Sequence, residues 1–255
     1  MPYILTYHDV VPLERRETVG FTGPTAARYK LTPEAFREHL ASISGTHARV
    51  GLLDDDLPAP EVALTFDDGG STGEAIAREL EAYGWRGHFF VTTSKIGSPG
   101  FLSAAQLVEL AARGHVIGSH SHTHPHDLGK RDPRVIDREW TESRAVLAEI
   151  LGKPPSVASI PGGLVTRPLI ESAARAGYRV LLSSEPRPTP RRIGTIELIG
   201  RFSIWATTPA ATAAKYARGG ALAGLRLLLE WTAKGAAKRL SPALYERARG
   251  VRARL

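Results

Sequence analysis

Val62-Ala63-Leu64-Thr65-Phe66-Asp67-Asp68-Gly69 passes from an apolar run to two adjacent carboxylates in one step. The run, polar only at Thr65, reads as a strand. Asp-Asp-Gly predicts a turn at its C-terminal end, since Asp bonds locally to backbone and Gly tolerates positive φ. About fifty residues on, His115-Val116-Ile117-Gly118-Ser119 reads as a second strand. It ends in His120-Ser121-His122-Thr123-His124, with His126 two residues further.

One Asp and two His form a three-ligand set for a divalent metal that leaves positions open for water and substrate. A second Asp beside the ligand is then placed as a general base toward that water. The pair of segments therefore points to metal-assisted hydrolysis. Each also has a plain reading, Asp-Asp-Gly as a turn and the histidines as a surface tract. Their coincidence at two strand ends favours the chemical one.

Outward from these segments, strand-like and helix-like stretches alternate. Tyr3 to Tyr7 reads as a strand, and a loop rich in Gly, Thr and charge fills residues 11–31. Thr32-Pro33-Glu34 opens a helix with Thr32 as N-cap and Phe36, Leu40 and Ile43 on one face. Asp54-Asp55-Asp56, in a Pro-flanked loop, reads as solvated. A helix over Ser71 to Tyr83 carries Ile76, Leu80 and Tyr83, and another runs from the cap Ser103 to Ala112. The longest, Pro133 to Leu151, has a buried stripe of Val135, Ile136, Trp140, Val146, Leu147 and Ile150. Val157 to Ile160, Val180 to Ser183 and Leu198 to Ile204 complete the strands, and Ala221 to Leu240 reads as a last amphipathic helix. Such repetition predicts a parallel sheet with outer helices.

At Thr65-Phe66-Asp67-Asp68-Gly69 and His120-Ser121-x-x-His124 the chain resembles the polysaccharide deacetylases of the NodB-homology type, whose first two motifs are T-F-D-D-G and H-[ST]-x-x-H. Gly87-His88-Phe89-Phe90-Val91 and the opening Tyr7-His8-Asp9-Val10 also fit, and the likeness covers roughly residues 60–205. The resemblance implies a distorted (β/α)7 barrel, with the site at the C-terminal strand ends. It implies Asp67 as catalytic base and Asp68, His120 and His124 as metal ligands. The third motif departs: in Ser159-Ile160-Pro161-Gly162-Gly163, Ser159 stands where the family has an Arg that orients the base, while Pro161 is kept. Arg201 and Arg167 are candidates to replace it. The family's late His has no counterpart after His126, so either Asp67 moves the proton both ways or His8 or His126 supplies it.

The resemblance implies N-deacetylation of an N-acetylated glycan or glycoconjugate with one divalent ion. Ligand type does not fix the metal; zinc is the first expectation, with cobalt, nickel, iron or manganese as alternatives. Cyclic-amide or ureide hydrolysis on the same scaffold, and glycan binding by a relic site, are the competing expectations.

Of 255 residues none is cysteine, which excludes disulfides and thiolate chemistry. The net charge of +7 is concentrated late: from residue 205 onward ten Lys or Arg face Glu230 and Glu246 alone. No nucleic-acid motif accompanies them. A solvated helical face is one reading of this excess, and peripheral contact with an anionic membrane surface the other. Met1-Pro2-Tyr3-Ile4-Leu5 has no signal-peptide pattern, and no run is long enough to span a bilayer, so a cytoplasmic protein is expected. The expected organisation is a catalytic domain over residues 1–205 and a basic helical extension over 206–255.

Overall fold

The computed structural model describes residues 2–53, 60–187 and 189–219. In chain order it contains β1 (Tyr3–Tyr7), α1 (Pro24–Ala27), α2 (Pro33–Ser44), β2 (Val62–Phe66), α3 (Gly73–Glu81) and β3 (His88–Val91). These are followed by α4 (Ala104–Ala112), β4 (Val116–Ser119), α5 (Pro133–Leu151), β5 (Val157–Ser159), α6 (Arg167–Ala176) and β6 (Val180–Leu182). The last elements are β7 (Arg191–Ile193), β8 (Ile196–Ile199), β9 (Phe202–Ser203) and α7 (Ala210–Ala217). The strands form one sheet in the order β7-β8-β6-β5-β4-β3-β2-β1-β9. Every pairing is parallel except the β7–β8 hairpin.

That order contains the closure of a barrel. β8 and β9 sit near opposite ends of the sheet, yet only Gly200 and Arg201 separate them in the chain. Three Cα–Cα steps span at most about 11 Å. The sheet must therefore curl until its ends nearly meet. The expected single strand over 198–204 is split at this point: its first half pairs with β6 and its second with β1. With β8 and β9 as halves of one position beside β1 to β6, the architecture is the expected distorted (β/α)7 barrel.

Gly200 makes the crossing feasible, because a Cβ there would press into the carbonyl oxygen of Glu185 and lie 2.6 Å from that of Arg187. Both are backbone atoms and cannot swing aside. Gly200→Ala is expected to cost about 1–3 kcal/mol, read as a Tm several degrees lower.

The helices follow local rules. Thr32 caps α2 by accepting from the Ala35 amide, and Ser103 with Gln106 forms a capping box on α4. Phe36, Leu40, Ile43, Leu64, Phe66, Ile76 and Leu80 join one core between β1, β2, α2 and α3. Two expected core positions are exposed. α3 stops at Glu81, so Tyr83 lies beyond it, 37% exposed and stacked on Trp85. The α5 stripe runs through Ile136, Glu139, Trp140, Ser143 and Leu147, which leaves Val135 on the outer side. α7, which the periodicity did not reveal, packs on α2 and β1.

Asp54-Asp55-Asp56, the helix expected over 221–240 and most of the late basic excess lie outside the described residues. Among the described residues no helix is long and apolar enough to cross a membrane.

Candidate active site

Every strand that pairs in parallel points its C-terminal end the same way, and the motif residues gather there. Asp67 directly follows β2 and its amide still bonds to the Tyr7 carbonyl (3.0 Å). His120 directly follows β4 and its amide bonds to the Val91 carbonyl (2.8 Å). The two positions are therefore fixed by the sheet itself. Adjacent residues on a strand face opposite ways. Asp68 escapes this by adopting φ 76°, followed by Gly69 at 81°, so both carboxylates reach one site.

Asp68, His120 and His124 converge. Asp68 Oδ1 lies 3.6 Å from His120 Nε2 and 3.5 Å from His124 Nε2, and the two Nε2 atoms are 3.1 Å apart. Ligands on a tetrahedral ion with bonds of about 2.0–2.1 Å sit about 3.3 Å from one another. The donor set thus fits a divalent ion. The tautomer fits too: His120 Nδ1–H donates to the Ser159 carbonyl (2.9 Å), which leaves Nε2 as a lone pair facing the centre. Burial lowers the pKa of both imidazoles, that of His124 to about 2, so both stay neutral as ligands must. Burial, then the Asp67 and Asp9 carboxylates, push Asp68 well above the ordinary range. A cation at the triad would relieve that cost.

Asp67 is held differently. Arg201, 1% exposed, enters from the β8–β9 crossing and grips both oxygens: Nη1 to Oδ1 at 2.8 Å and Nη2 to Oδ2 at 2.7 Å. Nη2 also donates to Ser159 Oγ (2.7 Å), Nη1 to Thr65 Oγ1 (3.2 Å) and Nε to the Ser183 carbonyl (3.2 Å). The guanidinium's five N–H donors are thereby matched. Ser159 Oγ donates in turn to Asp67 Oδ2 (3.0 Å). Burial alone would raise the Asp67 carboxyl; Arg201, then His120, overturn this and hold it well below the usual range. Oδ2 lies 3.8 Å from His120 Nε2, beside the triad.

The other candidates separate. Arg167 lies on the surface, bonded to Glu171 (2.7 Å), far from the orienting role considered for it. His122 turns away: its Nδ1 pairs with the Thr93 hydroxyl (2.9 Å) and its Nε2 lies 3.6 Å from Glu142. His126 stands exposed at the rim, its ring perpendicular to that of His124 at 4.7 Å. Pro161 is buried and opens a short turn whose Gly162 abuts the His126 carbonyl. His8 is half-buried against Tyr29 (4.4 Å), and burial takes its pKa down to about 4.

Sequence reasoning passed over several residues around the site. Lys30 is buried, and its ammonium donates to the carbonyls of Arg16, Val19 and Phe21 at 2.5–2.6 Å. This gathers the 11–31 loop and sets the Phe21 ring on His124 (4.7 Å). Trp205 stacks on Tyr29 (4.5 Å) and remains 40% exposed, extending an aromatic ladder from His8 to the surface. Glu139, in the buried stripe of α5, accepts from the amides of His122 (2.8 Å) and Thr123 (2.7 Å) and from the Thr123 hydroxyl. A charge inside an apolar stripe was the available signal.

The polysaccharide deacetylase family model matches residues 54–181, half of the chain, and the chain belongs to that family. Arg201, Lys30 and Trp205 lie outside the matched segment. Among curated proteins it is 26% identical over 159 residues to YxkH of Bacillus subtilis (strain 168), covering 62% of this chain and 57% of that one. It is 27% identical over 161 residues to the chitooligosaccharide deacetylase of Bradyrhizobium sp. (strain ANU 289), covering 62% and 65%. The chain thus spans less than two thirds of either relative. The fold matches that of Streptococcus pyogenes deacetylase PplD, solved with acetate, at a TM-score of 0.67 and 21% identity over 84% of this chain and 97% of that one. It also matches BC0361, a polysaccharide deacetylase from Bacillus cereus, at 0.70 and 18% over 84% and 68%.

Proposed function

We propose that the protein is a metal-dependent hydrolase that removes N-acetyl groups from acetamido sugars within a glycan. The observation that carries this is the convergence of Asp68, His120 and His124 within 3.1–3.6 Å of one another, beside a carboxylate clamped by Arg201. The family membership and the similarity to a chitooligosaccharide deacetylase support the substrate class.

In this reading Asp68, His120 and His124 hold one divalent ion, zinc by preference. Asp67 stays ionised at neutral pH because Arg201 holds it low, and it takes the proton of the attacking water. So weak a base needs a water already acidified, and that acidity, with polarisation of the amide carbonyl, is what the bound ion supplies. Once protonated, Asp67 is placed to return the proton to the departing amine. His8, with its pKa near 4, carries little proton at neutral pH and is the poorer donor. Ser159 and Arg201 keep the Asp67 carboxylate from rotating during both transfers. The exposed Trp205–Tyr29 ladder favours an oligomer over a free monosaccharide, since aromatic faces suit the apolar face of a neighbouring sugar.

Acetate release tests this on N-acetylated glucosamine oligomers, free N-acetylglucosamine and allantoin. Oligomers are expected to be turned over fastest, with activity abolished by a chelator and restored by zinc. Ring opening of allantoin without acetate release from any glycan would favour the ureide reading. No turnover by metal-replete, folded protein would favour a relic.

A further inference from the structure

We propose that Glu139 is a positioning residue for the metal centre, holding the His120–His124 loop in its ligating shape from behind. This rests on the reading of Asp68, His120 and His124 as ligands. The loop is backbone-strained: Ser121 and His124 adopt φ of 63° and 62°, a region that side-chain-bearing residues seldom occupy. Such a conformation persists only where its surroundings over-determine it.

Glu139 supplies that constraint. It lies 6% exposed on α5, and its carboxylate accepts from both consecutive amides, His122 and Thr123, on Oε2 and from the Thr123 hydroxyl on Oε1. These are charge-assisted bonds to the two residues between the strained pair. Two further contacts brace the same loop. The Ser121 amide donates to Ser119 Oγ (3.0 Å), and the His124 amide donates to Ser121 Oγ (3.1 Å). Ser119 Oγ reaches Ser143 on α5 (2.7 Å), one turn from Glu139. α5 thus grips the loop at two points, and the carboxylate makes three of the bonds. Among the described residues no helix or strand runs between His120 and His124, and on the other side the loop is held by the Thr93 and Ser94 amides, which donate to the Ser121 (3.2 Å) and His122 (2.9 Å) carbonyls. Without Glu139, the two amides lose their partner and the His124 ring loses its register against Asp68.

The experiment uses the full chain stripped of metal and titrated with cobalt(II), whose visible absorption reports coordination geometry. Glu139→Gln is expected to weaken cobalt binding about 10–100-fold and to alter the visible bands, while far-UV dichroism of the metal-free protein stays unchanged. Glu139→Asp, which keeps the charge on a shorter arm, is expected to recover part of the affinity. Wild-type affinity and an unchanged spectrum in Glu139→Gln would overturn the proposal. Should that variant fail to fold, Thr123→Val removes one of the three donors; it is expected to weaken binding less, and unchanged binding would overturn the proposal equally. A wild-type protein that takes up no cobalt would instead reject the ligand reading itself, and the role of Glu139 with it.

Discussion

Asp67→Asn is expected to keep its metal and lose its turnover. The amide preserves the shape of the carboxylate but cannot accept the water's proton. Loss of a positioned general base lowers kcat about 10²–10⁴-fold. Asp67 is not among the three converging atoms, so metal content by elemental analysis should stay near one equivalent. His120→Ala and His124→Ala are expected to behave oppositely, losing metal and activity together. His122→Ala should be mild, because its ring is engaged with Thr93 and Glu142 and points away from the triad. If His122→Ala emptied the site while His124→Ala did not, the ligand register would be wrong. An Asp67→Asn protein lacking metal would make Asp67 a ligand rather than the base.

The second large effect is expected at Arg201. Arg201→Met leaves a buried carboxylate without its counter-charge, and breaking such a pair costs about 3–5 kcal/mol. The sign of the pH dependence follows from Asp67. Its folded pKa lies below its unfolded value near 3.8, so its contribution to stability is complete above that value and is lost as pH falls through the folded one. Without Arg201, desolvation prevails and the folded pKa rises. The variant's stability should then begin to fail at higher pH than the wild type's, and the acid limb of its activity profile should move up as well. Arg201→Lys should recover little, because one ammonium cannot reproduce a fork that spans Asp67, Ser159, Thr65 and the Ser183 carbonyl. Thermal unfolding and kcat/KM across acid pH read both effects. An Arg201→Met protein with wild-type profiles would remove Arg201 from any role in holding the base.

What the sequence disclosed and what it withheld divide along the range of the forces involved. The strands before Asp67 and His120, the caps at Thr32 and Ser103 and the parallel sheet with outer helices are local or periodic, and all were legible; the barrel class followed only from the resemblance carried by the two motifs. The break at Gly200-Arg201 was not. Leu198, Ile199, Phe202 and Ile204 carry an apolar pattern straight across it, and the reason for the break, a meeting of β8 and β9 with different partners, is non-local. Arg201 could be named as a candidate, but its five-bond seat is visible only once β2, β5, β6 and the crossing are assembled. Glu139 was hidden by its position in a helical stripe, where the eye completes the apolar pattern. Lys30 and Phe21 sit in a loop without periodicity, where neither pattern nor propensity speaks.

The barrel's closing step also sets a timetable. Asp67 and Arg201 are 134 residues apart in the chain. A ribosome adding about 5–20 residues per second exposes the acidic turn many seconds before the arginine that neutralises it. Until the final crossing emerges, burial of Asp67 is opposed by its own charge, and the half-made sheet has reason to stay open. The candidate site is therefore completed by nearly the last part of the described chain to be made, and a nascent protein cut short before residue 201 should be both unstable and inert.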